Sequence, residues 1–477
     1  MPRNVLLANA KVIGGDGNLQ GPVDILIESG VIKDVVQSVD EREIGARVYD
    51  EATEIRDCRN CYVSPGLVNL HTHSPMTILR GIAEDVSVED WFNSRIWPFE
   101  SVLTPEDIKI GAMLAIYEML DCGVTAFFDH YFYSEEIAAA ALEAGIRADI
   151  APTIFGMAPG WQEALDKASL LIESMNRNPK SPVRMRLGPH APYTCPPEVL
   201  EACAKRAEEL GAGAHIHVSE TEKQVLDSVG LYGKTPFARL KEAGLLDVPC
   251  IIAHGIWIQE EELGFLGKDS VFAVAPKTYL KLSSGFGNLY KFQWETLKQE
   301  SILTDQAGQT GADAIGKACC KAAPVALRVG IGTDGAASSN TLNPLEQARL
   351  YGLLAKDYLA DACAYPLKAI WQMLMEGHSA LGQNTGEVAP GYNADLVVWD
   401  LSMAHTWPVY DPLAAIIYSA DARNVRDVLV GGDFKKKDGK VFVYYGNVHD
   451  KNPLLDEVQC IKERLLATGA GTAKVKY

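Results

Sequence analysis

The sequence predicts an α/β protein: a closed (β/α)8 barrel carrying a small β domain built from both ends of the chain. Three observations predict it. Apolar strand-like runs alternate with helical patterns through the middle of the chain, the signature of βαβ units and a parallel sheet. Short β-type segments open the chain and return near its end. Ligand-type side chains stand at the C-terminal ends of the central runs, where a barrel gathers its chemistry.

Taken in order, Val23–Ile27 and Val31–Val36 flank Glu28-Ser29-Gly30 and predict a hairpin. The same texture returns in Asn393–Trp399, Val428–Val430 and Val441–Val443, and a helix is expected over Pro453–Ala467. Residues 1–62 and 386–477 are therefore expected to form the composite β domain, and 63–385 the barrel. The barrel strands are read at Leu67–His71, Val124–Asp129, Ile146–Thr153, Val183–Leu187, Ala214–Val218, Cys250–His254, Val271–Ala275 and Val325–Gly332. Helical stretches such as Pro105–Asp121, Ser134–Ala144, Pro197–Leu210 and Thr235–Ala243 sit between them. Residues 290–317 turn polar and Gly-rich after the seventh strand; a lid and a disordered or oligomer-forming insertion fit equally.

At 477 residues the chain exceeds one ordinary domain. Its 47% hydrophobic and 22% charged content is that of a soluble globular protein. No apolar run approaches the roughly 20 residues of a membrane span, and the opening Met1–Asn9 is too short for a secretory signal. A cytoplasmic protein is expected, with no membrane partner. The 10 scattered cysteines suit reduced thiols better than a disulfide frame. A net charge of −18 argues against nucleic acid as partner.

The first barrel strand ends in His71-Thr72-His73, and alternation puts His71 and His73 on one face. A histidine pair on a strand is commonly mere packing, so the case rests on ligands arriving from other strand ends. They do: His190 ends the fourth strand, His217 the fifth, His254 the sixth, and Asp334 follows the eighth. Three imidazoles and a carboxylate suit zinc, with iron or manganese also accepted. Glu220, three residues past His217, brings a carboxylate beside such an ion, as a proton shuttle needs. His215 shares the face of His217 but lies deeper. His378, His405 and His449 are expected to be structural or solvent-facing. The run Glu260–Glu262 reads as a solvated helix start, and Lys435–Lys437 as a hairpin tip.

These motifs resemble the amidohydrolase superfamily, in particular its branch of 5′-methylthioadenosine/S-adenosylhomocysteine deaminases and related aminohydrolases. The resemblance rests on Pro65–Asn69 with His71-Thr72-His73, Pro75–Gly81, Trp97–Glu100, Gly188–Cys195, His215–Thr221 and Gly332–Asn340. It implies a distorted barrel with a small β-sandwich and one divalent metal ion bound by His71, His73, His217 and Asp334. It further implies catalytic roles for Glu220, His254 and Asp334, a ring contact for His190, and a ribose contact for Glu100. A single ion is favoured because the fourth strand supplies no bridging Lys. Dimers or tetramers are common among such proteins, so a homo-oligomer is expected.

The chemistry such parts support is deamination. The ion makes a hydroxide available near neutral pH. Asp334 and Glu220 take its proton, Glu220 protonates a ring nitrogen and then the departing amine, and His254 stabilises the oxygen. The expected substrate is a small adenosine-type nucleoside: 5′-methylthioadenosine, 5′-deoxyadenosine or adenosine. S-Adenosylhomocysteine fits less well, because residues 151–162 after the third strand contain no Arg. The alternative is an aminohydrolase or chlorohydrolase of a ribose-free heterocycle such as an s-triazine, pterin or guanine-like base. A non-catalytic scaffold of the same fold is the reading from another class, and the intact ligand set opposes it. Tyr279 stands where the branch shows Asn, and either substrate contact or wall packing fits it. His130 at the end of the second strand and Trp97 are further candidates for the pocket wall.

Overall fold

The structure, a computed structural model, describes residues 4–38, 53–157, 159–307, 327–442 and 453–469. Its eight barrel strands are Leu67–Thr72, Val124–Tyr131, Arg147–Ile154, Val183–Met185 with Gly188–Pro189, Ala214–Val218, Cys250–His254, Ser270–Val274 and Val329–Ile331. Nearly all their residues are buried, which is why each reads as a continuous apolar run instead of an alternating one. The first four pair in parallel with one another, and so do the last four. Two thin seams join the halves. Leu187 bridges Ala214 between strands four and five. Between strands eight and one, the Thr333 and Asp334 amides both donate to the His71 carbonyl, at 2.9 and 3.0 Å. The barrel is thus distorted, and its closing seam sets Asp334 beside His71.

Intervening helices begin where caps are encoded. Thr104 and Asp107 form a capping box for Pro105–Asp121, and Thr221 caps Glu222–Tyr232. Gly66 divides the first barrel strand from Cys61–Pro65, a strand of the other domain. A Cβ there would come within 2.0 Å of Thr125 Oγ1, so only glycine passes.

Both chain ends contribute to one nine-stranded sheet of the β-sandwich. Cys61–Pro65 pairs antiparallel with Leu396–Asp400, and the hairpin around Ser29-Gly30 forms with Ser29 at φ 50°. A buried apolar cluster including Leu7, Ile25, Val63, Val398 and Leu429 fills its interior. The helix Pro453–Ala467 forms as expected.

Three expectations change. Lys435–Lys437 lies in the strand Asp433–Lys437, and the tip is Asp438-Gly439. Lys436 is buried, its ammonium 2.7 Å from Asp121 and bonded to the Ala422 carbonyl, because the alternation of the strand turns it inward. Glu262 is likewise buried, accepting from the Gln259 amide, so that run is not wholly solvated. Part of the polar segment after strand seven is the helix Leu289–Ala307; residues 308–317 lie outside the described residues, as do His449, Val443 and residues 325–326 of the expected eighth strand. Cys58 and Cys61, spaced Cys-x-x-Cys, both accept from the Arg426 guanidinium, at 3.4 and 3.2 Å. Burial pushes the Cys58 thiol up to about 12, which makes it structural and not reactive. No helix among the described residues is long and apolar enough to cross a membrane.

Candidate metal centre and active site

His71 and His73 leave the first barrel strand, and His217 stands on the fifth; one ligand atom from each lies within 4.8 Å of the others. His73 Nε2 is 3.3 Å from His217 Nε2. Asp334 Oδ1 completes the cluster, 3.2 Å from His73 Nε2 and 3.6 Å from His71 Nε2. Every ring is held from behind. His73 Nδ1 donates to the His130 carbonyl at 2.7 Å, and His217 Nδ1 to the His190 carbonyl at 2.8 Å. His71 Nδ1 pairs with His215 Nε2 at 2.9 Å. Such bonds fix each ring's orientation and aim each Nε2 inward. Asp334 Oδ2 accepts from Thr278 and Ser338, at 3.0 and 2.7 Å, which leaves Oδ1 facing the rings.

Whether this set fits a cation can be judged from His71. Its Nε2 is buried and has no hydrogen-bond partner. Unpaired buried acceptors are costly, and converging lone pairs more so, unless a cation neutralises them. Three ring nitrogens with one carboxylate oxygen is the donor set of a divalent ion with an open position. The electrostatics agree. Burial drives His71 down to about 3, keeping the ring neutral. Burial opposes ionisation of Asp334, but the neighbouring His71 and His73 rings hold its carboxyl well below the usual range.

A cavity of about 540 Å³ opens over this cluster. Glu220 lines it, its carboxylate 3.8 Å from His254 Nε2. Burial raises the Glu220 carboxyl above its ordinary value, against the pull of His254. Ser219, His254 and Asp334 all have left-handed backbones, at φ 44°, 68° and 59°. Strained backbone of this kind re-aims side chains at strand ends and concentrates at working sites. His190 also lines the cavity; burial takes it down to about 3, and Nδ1 is engaged by Thr194 Oγ1 at 2.8 Å. Glu100, nearly buried, accepts from the Tyr131 hydroxyl, and burial raises its carboxyl. Trp91, Phe92 and Phe155 complete an aromatic wall, Phe155 lying 4.6 Å from the His190 ring.

His130 reaches the cavity wall, with Nδ1 on Thr153 Oγ1 at 3.0 Å. Two further candidates are not among the residues that line this cavity. Trp97 does not line the cavity; it stands behind Phe92 and Phe155, 6.4 and 6.3 Å away between ring centres. Tyr279 is also behind the wall, its hydroxyl 3.3 Å from His254 Nδ1. Sequence reasoning missed Tyr131, Thr278 and Ser338 altogether. Their positions beside His130, Tyr279 and Asp334 were the available signal.

With a parallel barrel and a three-histidine, one-carboxylate cluster at its strand ends, the molecule has the build of a metal-dependent hydrolase. The amidohydrolase family model matches residues 62–435, and the chain belongs to that family. It is 35% identical over 435 residues to a protein of Syntrophomonas wolfei named 5-methylthioadenosine/S-adenosylhomocysteine deaminase, covering 90% of this chain and 92% of that one. A protein of Pyrococcus furiosus with the same name is 35% identical over 443 residues, covering 91% and 96%. Among solved structures, an adenosine deaminase from Xanthomonas campestris with bound zinc superposes at a TM-score of 0.84, with 29% identity over 98% of this chain and 99% of that one. The chain is accordingly an enzyme, a hydrolase of C–N bonds with a divalent-metal site.

Proposed function

We propose that the protein is a zinc-dependent deaminase of a small adenosine-type nucleoside: 5′-methylthioadenosine, 5′-deoxyadenosine or adenosine. In this reading His71, His73, His217 and Asp334 hold the ion, and the zinc in the Xanthomonas campestris structure supports its identity. A divalent ion there supplies Lewis-acid chemistry that makes a water nucleophile available near neutral pH. The observation that carries the reading is the position of Glu220. It lines the cavity beside the cluster, its carboxylate has no salt bridge to Lys or Arg among the described residues, and its raised pKa suits a group that takes and returns protons. Glu220 takes a proton as water attacks and delivers it to a ring nitrogen; it then collects the hydroxyl proton of the adduct and passes it to the amine, so that ammonia leaves and the carbonyl forms. His254 stabilises the oxygen that gains negative charge. His190 and the aromatic wall hold the ring, and Glu100 accepts from ribose hydroxyls.

A small 5′ substituent is favoured because residues 151–162 after the third strand contain no Arg to meet an amino-acid carboxylate. Arg239 donates to the Pro192 and Cys195 carbonyls, and Lys223 pairs with Asp227 at 2.7 Å. Lys223 thus has a carboxylate partner, whereas Arg239 meets neutral carbonyls and its buried Nε–H has no hydrogen-bond partner among the described residues. Glu100→Ala tests the ribose assignment. It should cut kcat/KM for nucleosides by about 10–100-fold, the cost of a charge-assisted hydrogen bond, and leave free adenine unaffected. An equal loss on both would remove that role.

A further inference from the structure

His254 raises a question of protons: a neutral imidazole donates from one nitrogen and accepts at the other, and only one arrangement can serve an oxygen gaining charge. The surroundings decide between them. His254 ends the sixth barrel strand, and Tyr279 sits in the helix Pro276–Leu282 after the seventh. The Tyr279 hydroxyl oxygen lies 2.9 Å from the Ala275 amide nitrogen, a group that only donates. That oxygen therefore accepts from Ala275, and its own hydrogen remains to be given. His254 Nδ1, 3.3 Å away, is the acceptor in reach. Burial keeps the phenol well above its ordinary range, so the hydrogen stays in place. On the other side of the ring, Nε2 faces the Glu220 carboxylate at 3.8 Å, an environment that favours N–H over a lone pair.

We propose that Tyr279 is a positioning residue that fixes His254 in its Nε2–H tautomer, by donating its hydroxyl hydrogen to Nδ1. The inference rests on the catalytic reading of His254 given above and sharpens it. With Nε2 protonated, His254 is a hydrogen-bond donor to the cavity and not a base. Proton abstraction then falls to the carboxylates, Glu220 first.

The decisive readout is nitrogen NMR of 15N-histidine-labelled, zinc-loaded protein without substrate, with the His254 signals assigned by their loss in His254→Gln. Wild-type protein should show the proton on Nε2 and none on Nδ1; a proton on Nδ1, alone or together with Nε2, overturns the proposal. Tyr279→Phe keeps the ring and removes the hydroxyl. It should mix the tautomers and lower kcat about 10–100-fold, as lost outer-layer partners commonly do, with KM little changed. In the His254→Gln background the same substitution should cost nothing further; an equal loss there would mark a merely structural role and overturn the proposal. If Tyr279→Phe fails to fold, the wild-type spectrum alone decides. Since that spectrum needs no turnover, inactivity on nucleosides would sink the proposed function and leave the tautomer standing, and a wrong tautomer would do the reverse.

Discussion

The two ends of the cavity are built on different principles. At the metal end, almost every polar atom has a second bond behind it: His73 and His217 on backbone carbonyls, His71 on His215, Asp334 on Thr278 and Ser338. At the substrate end, rings pack on rings. Phe92, Phe155 and His190 adjoin one another with Trp97 behind, and the Glu100–Tyr131 bond is the polar feature this reading uses there. Chemistry that must stabilise charge needs atoms placed to a fraction of an ångström, which hydrogen bonds to backbone supply. Binding a flat ring needs shape, which packing supplies with less directional demand. The difference teaches where substitutions should be abrupt and where forgiving.

The sharpest contrast comes from Glu220→Gln. It should retain zinc at wild-type stoichiometry yet lower kcat by about 10²–10⁴-fold, the span of a lost proton shuttle. Zinc content and ammonia release measured on one preparation check it, and activity within a few-fold of wild type would remove Glu220 from the mechanism. Thr278→Val comes next. It leaves Asp334 Oδ2 with Ser338 alone, and should weaken zinc about 10–100-fold in a chelator competition. Per pH unit, a smaller effect attaches to proton competition. Burial lowers His73, but the bond to Asp334 outweighs it and pushes the ring up to about 9 in the metal-free protein. The ion must displace that proton, so apparent zinc affinity should rise with pH, about tenfold per unit, and level off near that value. A flat profile between pH 6 and 9 would break the coupling. The smallest effect belongs to Trp97→Leu at the packed end: KM should rise only a few-fold, since the ring supports the wall and does not touch the cavity. A loss of kcat there as large as that from Thr278→Val would erase the comparison.

The same division governs what the sequence revealed. His71 and His73 were legible because alternation on a strand is local, and Asp334 because it follows a strand end. The eight strands and the helix Pro453–Ala467 were legible for the same reason. The partners behind the ligands were not. His215 was seen to lie deeper than His217, but its bond to His71 spans 144 positions. Thr278 meets Asp334 across 56 positions, and Tyr279 meets His254 across 25, through rotamers that no spacing encodes. Trp97 was a candidate for the pocket wall because aromatic character is readable and the side of a loop it faces is not. Lys436 looked exposed because its partner, Asp121, belongs to a helix 315 positions earlier.

The most direct test of the account is ammonia release by the zinc-loaded protein across 5′-methylthioadenosine, 5′-deoxyadenosine, adenosine, S-adenosylhomocysteine, adenine, guanine, a pterin and melamine. The account predicts release from the nucleosides, with the highest kcat/KM on one carrying a small 5′ group, and little from the ribose-free rings. Release confined to the ribose-free rings would contradict it, and would return Glu100 and Tyr131 to the wall as packing.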